Sequence, residues 1–236
     1  SRVPWWSHGL RANRRLWNRQ ILQQWLLRGC HHHRLMSATD TIALPVLGDV
    51  DLASRCARGD GAAQEQLFQD HKSRVHATLY RILGSNREIE DLVQETFLEV
   101  FRSLHRYRGE ARLGTWISRI CSRVAFAFLS KRKPRSADIS EIPEIGSGQQ
   151  GSDEITVARE ATRRLYAALA KIDPKQRIAF ALHVIDGRSM REVAEITEAS
   201  LVATKSRVWR ARREVEKYAK RDPFLASYLQ EQEAGK

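Results

Sequence analysis

A chain of 236 residues, 42% hydrophobic and 29% charged, has room for one large domain or two small helical ones and is too balanced for a fibrous or wholly disordered polymer. Its net charge of +12 points to a polyanionic partner, either nucleic acid or an anionic membrane surface. Cys30, Cys56 and Cys121 show no CxxC spacing, which speaks against a disulfide framework or zinc ribbon, and no apolar run approaches the ~18–20 residues that span a bilayer. The expected setting is therefore a reducing cytoplasm.

Residues 1–35 differ in composition from the rest of the chain. They hold seven arginines and no acid, leaving +5 for the remaining residues, and they contain Trp5, Trp6, Trp17 and Trp25. Met36 is followed by the polar SATDT, so Met36 is the expected start, and residues 1–50 are expected to form a disordered extension. Two other readings stay open: ILQQWLL with its arginines could lie on a membrane surface, and Cys30-His31-His32-His33 could bind a metal. Adjacent histidines, however, lack the i, i+4 spacing that presents two ligands on one helix face. A long apolar core followed by small residues, the mark of a secretory signal, is missing.

From Asp51 to Lys133 the pattern is helical, and these residues are taken as the first domain. Ser85-Asn86-Arg87-Glu88 reads as a capping box opening a long helix. Ile89, Leu92, Val93, Thr96, Phe97, Val100, Phe101 and Leu104 form its core stripe. The opposite face carries Glu90, Asp91, Gln94, Glu95 and Glu99 around the apolar Leu98. Such a patch would repel DNA and suits a basic protein partner, although a plain solvated face has the same composition. Arg106-Tyr107-Arg108-Gly109-Glu110 breaks the helix. The next one carries Leu113, Trp116, Ile117, Ile120 and Val124, and presents Arg119, Arg123 and Phe126 on its other side. Rings and cations around a glycine-containing loop suit single-stranded nucleic acid, because bases stack on flat rings while cations track phosphates. Trp116 and Phe128 equally fit a core. A metal-dependent nucleic-acid enzyme using Asp70, His71 and His76 is a third possibility, weakened by a histidine spacing of five.

Residues 134–155, PRSADISEIPEIGSGQQGSDEI, have linker composition with mainly acidic charge. Helical periodicity resumes near Thr156 and defines a second domain over 156–222, with 223–236 as a tail. Asp173-Pro174-Lys175-Gln176 is a helix start, and Ile178, Leu182 and Ile185 make an apolar stripe before Gly187. Ser189-Met190-Arg191-Glu192 is a capping box for a two-turn helix, and Ser200 caps the next one. Leu201, Thr204, Val208, Ala211, Val215 and Tyr218 face the core of this last helix. A short helix, a tight turn and a longer helix make a helix-turn-helix. The face away from the core presents Val202, Ser206, Trp209, Arg210 and Arg213, flanked by Lys205 and Arg207. This layout neutralises phosphates while short polar and aromatic groups reach base edges in the major groove.

DLVQETFLEVFRSLHRYRGEARLGTWISRI, followed by SMREVAEI and KSRVWRAR, resembles the bacterial sigma-70 family of RNA polymerase sigma factors, specifically the extracytoplasmic-function group, over Asp51 to Lys220. The expected fold is all-α: two small helical domains joined by a flexible acidic linker, the second a helix-turn-helix domain. The resemblance implies a factor that binds core RNA polymerase (β′ and β subunits) and promoter DNA, melts the promoter, and is held by an anti-sigma factor. Asp91, Gln94 and Glu95, with Leu98 among them, match the surface that docks on the β′ coiled coil. The loop from Tyr107 through Arg108 to Thr115, and the helix bearing Trp116, Arg119, Arg123 and Phe126, match the part that captures a flipped base at the minus-ten element. Lys205, Ser206, Arg207, Trp209, Arg210 and Arg213, with Val202, fall on the minus-thirty-five helix. No catalytic residue, metal, cofactor or small-molecule substrate is expected. The chain departs from the family pattern at Arg123, where asparagine is common, at Ala127, where an aspartate is usual, at Val202-Ala203-Thr204 in place of glycine-threonine-valine, and in a turn without its usual glycine. A stand-alone repressor or activator reading two half-sites as a dimer is the alternative.

Overall fold

The computed structural model describes residues 47–85, 87–131 and 152–225, and every regular element among them is helical. The arginine-rich segment with ILQQWLL, the Cys30–His33 cluster and Met36 lies outside the described residues, as do 132–151 of the acidic linker and 226–236 of the tail.

The N-terminal half contains α1 (Leu47–Ala57), α2 (Gly61–Leu83), α3 (Ile89–Ser103) and α4 (Leu113–Lys131), with a 3-10 turn at Leu104–Arg106. Asp60 opens α2 by accepting a hydrogen bond from the Ala63 N–H at 3.1 Å. Asp49, in the first turn of α1, does the same for another helix: its Oδ2 accepts from the Leu113 N–H at 2.9 Å and so caps α4. Helices α2, α3 and α4 pack on one another around Leu67, Leu79, Ile82, Ile89, Val93, Val100, Leu113 and Ile117, all buried. Phe68 meets Phe97 edge-on with centroids 4.7 Å apart. Most of the α3 stripe read from the sequence is core, with Phe101 only half-buried.

The C-terminal half contains α5 (Ser152–Leu169), α6 (Pro174–Phe180), α7 (Met190–Ile196) and α8 (Leu201–Arg221), with a wide π turn at Ala181–Ile185 continuing α6. Asp173 caps α6 by accepting from the Lys175 and Gln176 N–H groups. Ile178, Leu182 and Ile185 are buried as their spacing predicts, and Gly187 ends the run at φ 74°.

Several boundaries differ from the sequence reading. Residues 47–50, expected within the extension, begin α1, because Asp49 supplies an acid to its first turn and a cap to α4. Residues 152–155, expected as linker, begin α5; Ser-Asp-Glu is itself a start signal that the surrounding glycines obscure. The tail starts later than 223, since Leu225 is buried and its N–H donates to Asp222 Oδ1 at 3.1 Å. The capping box at 85–88 does not form as read: α3 starts at Ile89, and Glu88 at its N-cap makes no side-chain cap hydrogen bond. Gly84 ends α2 in the left-handed conformation, its N–H donating to the Tyr80 carbonyl.

The two halves are docked. Helix α4 packs on α6 and α7, α2 packs on the π turn, and the buried apolar residues of both halves join in one cluster. Gly84 lies under the Tyr166 ring so closely that a Cβ there would sit 2.2 Å from it; with φ at 74° the position admits only glycine.

Candidate nucleic-acid interface

The helix-turn-helix is built from reciprocal caps. Ser189 Oγ accepts from the Glu192 N–H at 3.2 Å, and Glu192 Oε2 accepts from the Ser189 N–H at 2.8 Å, closing the capping box that starts α7. The turn places Glu198 at φ 50°, and the Ala199 N–H reaches back to the Ala194 carbonyl at 2.9 Å. Ser200 then caps α8 by accepting from the Ala203 N–H at 3.1 Å.

Thr204, Val208, Ala211 and Val215 bury the inner face of α8, with Ala219 completing it; Tyr218 is half-buried, with Lys171 Nζ 4.8 Å from its ring centroid. Leu201 departs from the expected stripe: it is 38% exposed, whereas Thr204, three residues on, is fully buried. On the outer face Val202 is 78% exposed and Trp209 56%. Lys205, Arg210 and Arg213 are exposed beside them, while Ser206 and Arg207 are partly so. The Arg213 guanidinium lies 5.0 Å from the Trp209 ring centroid, a cation–π contact that holds the indole among cations. Trp209, Arg210 and Arg213 also line an open groove of mixed charge, with Lys217, Lys220 and Arg221 of α8 and Gln176 of α6 beside Glu214 and Glu216. Lys217, Lys220 and Arg221 follow Arg213 at helical spacing and were within reach of the pattern. Gln176 arrives only through packing.

The second cluster sits around the loop before α4. The Tyr107 hydroxyl donates to the Ala111 carbonyl at 2.7 Å, and its ring meets Trp116 with centroids 5.5 Å apart. Both rings are half-buried against the core, and burial raises the Tyr107 pKa. Arg108 and Arg123 are exposed. Arg119 and Phe126 are engaged by the other half: Arg119 Nη2 pairs with Glu195 Oε1 at 2.9 Å and its Nε donates to the Glu195 carbonyl at 3.1 Å, while Lys175 Nζ stands 5.6 Å from the Phe126 ring centroid.

The third surface is acidic. Asp91, Gln94 and Glu95 are exposed on the outer face of α3, and Leu98 among them is 54% exposed. Asp70, His71 and His76 do not converge: the Nε2 of His76 lies 3.7 Å from Glu90 Oε1, while His71 faces Gly114 and Arg74. Among the described residues no group of three or more His, Cys, Asp or Glu side chains could hold a metal ion, and no helix is long and apolar enough to cross a membrane.

The family model for Sigma-70 region 2 matches residues 67–135, and the model for Sigma-70, region 4 matches 162–215; together they span just over half the chain. The ECF RNA polymerase sigma-E factor of Haemophilus influenzae is 28% identical over 179 residues, covering 72% of this chain and 94% of that protein. Its counterpart in Escherichia coli K12 is 26% identical over 179 residues, with 72% and 93% covered. A solved structure of CnrH in complex with the cytosolic domain of CnrY, 24% identical, shares the fold at a TM-score of 0.52 over 74% of this chain and 99% of that one. The region 2 match takes in α3, the loop and α4, and the region 4 match takes in the helix-turn-helix. The chain belongs to the sigma-70 family, in its extracytoplasmic-function group, and is an RNA polymerase sigma factor for transcription initiation.

Proposed function

We propose that three surfaces of this sigma factor divide the work of initiation. Asp91, Gln94, Glu95 and Leu98 dock on a basic coiled coil of core RNA polymerase, where the exposed leucine supplies apolar contact inside a ring of acids. The α8 face, from Val202 and Lys205 through Ser206, Arg207, Trp209 and Arg210 to Arg213, enters the major groove at the minus-thirty-five element. Tyr107, Arg108, Trp116, Arg119, Arg123 and Phe126 receive an unstacked base at the minus-ten element, about two helical turns away. Unstacking costs a few kcal/mol, which ring and guanidinium contacts offset. No covalent chemistry is required of the chain.

The observation that carries this reading is the opposition of charge on one polypeptide. An acidic face with an exposed leucine belongs to region 2, and a cationic helix with an exposed tryptophan belongs to region 4. The proposed site of action is the cytoplasm, with an anti-sigma protein as a further partner; CnrH was itself solved as a complex with a cytosolic domain. Run-off transcription with purified core polymerase tests the reading. Adding the chain creates new start sites; transcripts identical with and without it would refute the assignment.

A further inference from the structure

Val202 takes no part in packing its own helix. Among the described residues it is the most exposed large apolar side chain, and it lies outside both the buried cluster and the half-buried residues packed on it. Thr204, about 200° further round α8, is fully buried and marks the side that meets the core. A β-branched residue also forms helix less readily than alanine, so neither packing nor propensity calls for valine in this first turn.

A lone exposed valine would be unremarkable on any surface, but Val202 belongs to a stripe. Ser206 stands four residues on and Trp209 seven, which sets them about 6 Å and 10 Å further along the same face of the helix. Lys205 and Arg210 are exposed on either side of that stripe, and the Arg213 guanidinium lies 5.0 Å from the Trp209 ring centroid. The chemistry of the stripe matches a major groove read edge-on. Cations on both flanks suit the phosphates of the two groove walls. Between them, the one apolar group that base edges present on the groove floor is the C5-methyl of thymine. Cytosine, adenine and guanine place donors or acceptors there, which a valine would strip of water and leave unpaired. Base pairs stack about 3.4 Å apart, so Val202 and Trp209 address positions two or three base pairs from each other.

We infer that Val202 is a specificity-determining residue that reads the C5-methyl of a thymine, at the edge of the minus-thirty-five element met by the first turn of α8. The inference rests on the placement of α8 in the major groove proposed above. The contact removes the valine and the thymine methyl from water together. It therefore favours thymine over deoxyuridine, which lacks that methyl and keeps every hydrogen-bonding group.

The test uses the full chain assembled with core polymerase. Promoter duplexes are selected from a library randomised over the minus-thirty-five region, and each thymine of the selected element is then replaced singly by deoxyuridine. Affinities are read by fluorescence anisotropy at one fixed salt concentration. Wild type is expected to select thymine at one edge of the element and to bind about fourfold more weakly when that thymine becomes deoxyuridine. Val202→Ala abolishes this penalty and relaxes the selected base at that position, whereas Val202→Ile retains both. A selected element without thymine at either edge would overturn the inference. So would a Val202→Ala variant that keeps the deoxyuridine penalty, or one that weakens every duplex by the same factor, since the valine would then meet backbone or protein. A polymerase complex that selects no upstream sequence at all would refute the function proposed above, and this reading with it.

Discussion

Among the described residues other than glycine, Glu198 alone has a positive φ, 50°, and it sits in the turn that aims the reading helix. The left-handed region costs a residue with a Cβ roughly 1–2 kcal/mol, while glycine gives back about 0.5–1 kcal/mol through its freer unfolded chain. Glu198→Gly is therefore expected to stabilise the protein by about 0.5–1 kcal/mol, seen as a higher urea midpoint at unchanged slope. A lower midpoint would mean that the glutamate side chain contributes more than its backbone strain costs. Arg210 is governed by solvent rather than by strain. It is exposed on the face that carries Trp209, away from the core, and contact with phosphate is the role proposed for its charge. Arg210→Ala is expected to weaken promoter-fragment binding uniformly across sequences and to reduce the slope of log affinity against log salt by about one. An unchanged slope in a salt titration would remove Arg210 from the phosphate contacts.

At the scale of helices, α3 divides its labour between an inner face buried along most of its length and an outer face that contributes little to folding. Gln94 and Glu95 are exposed, and surface changes of this kind usually alter stability by no more than about 0.5 kcal/mol. Gln94→Ala with Glu95→Lys is thus expected to abolish association with core polymerase while circular dichroism and melting temperature stay as in wild type. Co-purification of that variant with core enzyme at wild-type yield would refute the docking surface. The α3 stripe, the two faces of α8 and the Ser189 capping box were legible because each depends on residues within a few positions of one another, where period and cap chemistry act. The Asp49 cap on α4 was not, because its partner lies 64 positions away. Arg177 was less legible still. An arginine in the last turn of a short helix reads as solvated, and only a helix end 94 and 95 positions earlier in the chain makes it buried. Leu201 failed in the opposite sense, since periodicity marks which side of a helix a residue occupies and not whether anything packs there.

For the molecule as a whole, the decisive feature is that one buried cluster runs through both halves. A chain read as two tethered domains would melt in two steps; a shared core makes the halves lose structure together. Wild type is therefore expected to give a single calorimetric transition whose van't Hoff and calorimetric enthalpies agree. Arg177→Ala separates these cases. With the halves docked, it leaves the Ile82 and Leu83 carbonyls buried without the guanidinium, at about 1–3 kcal/mol for each unsatisfied group. With the halves apart, water takes the same carbonyls and the cost largely disappears. The substitution thus acts on docking and not on the stability of either half, and the expected thermogram splits into two transitions, the lower one moved down from the wild-type temperature. A single unshifted transition in Arg177→Ala would mean that the halves are coupled by the apolar contacts between α4, α6 and α7 alone.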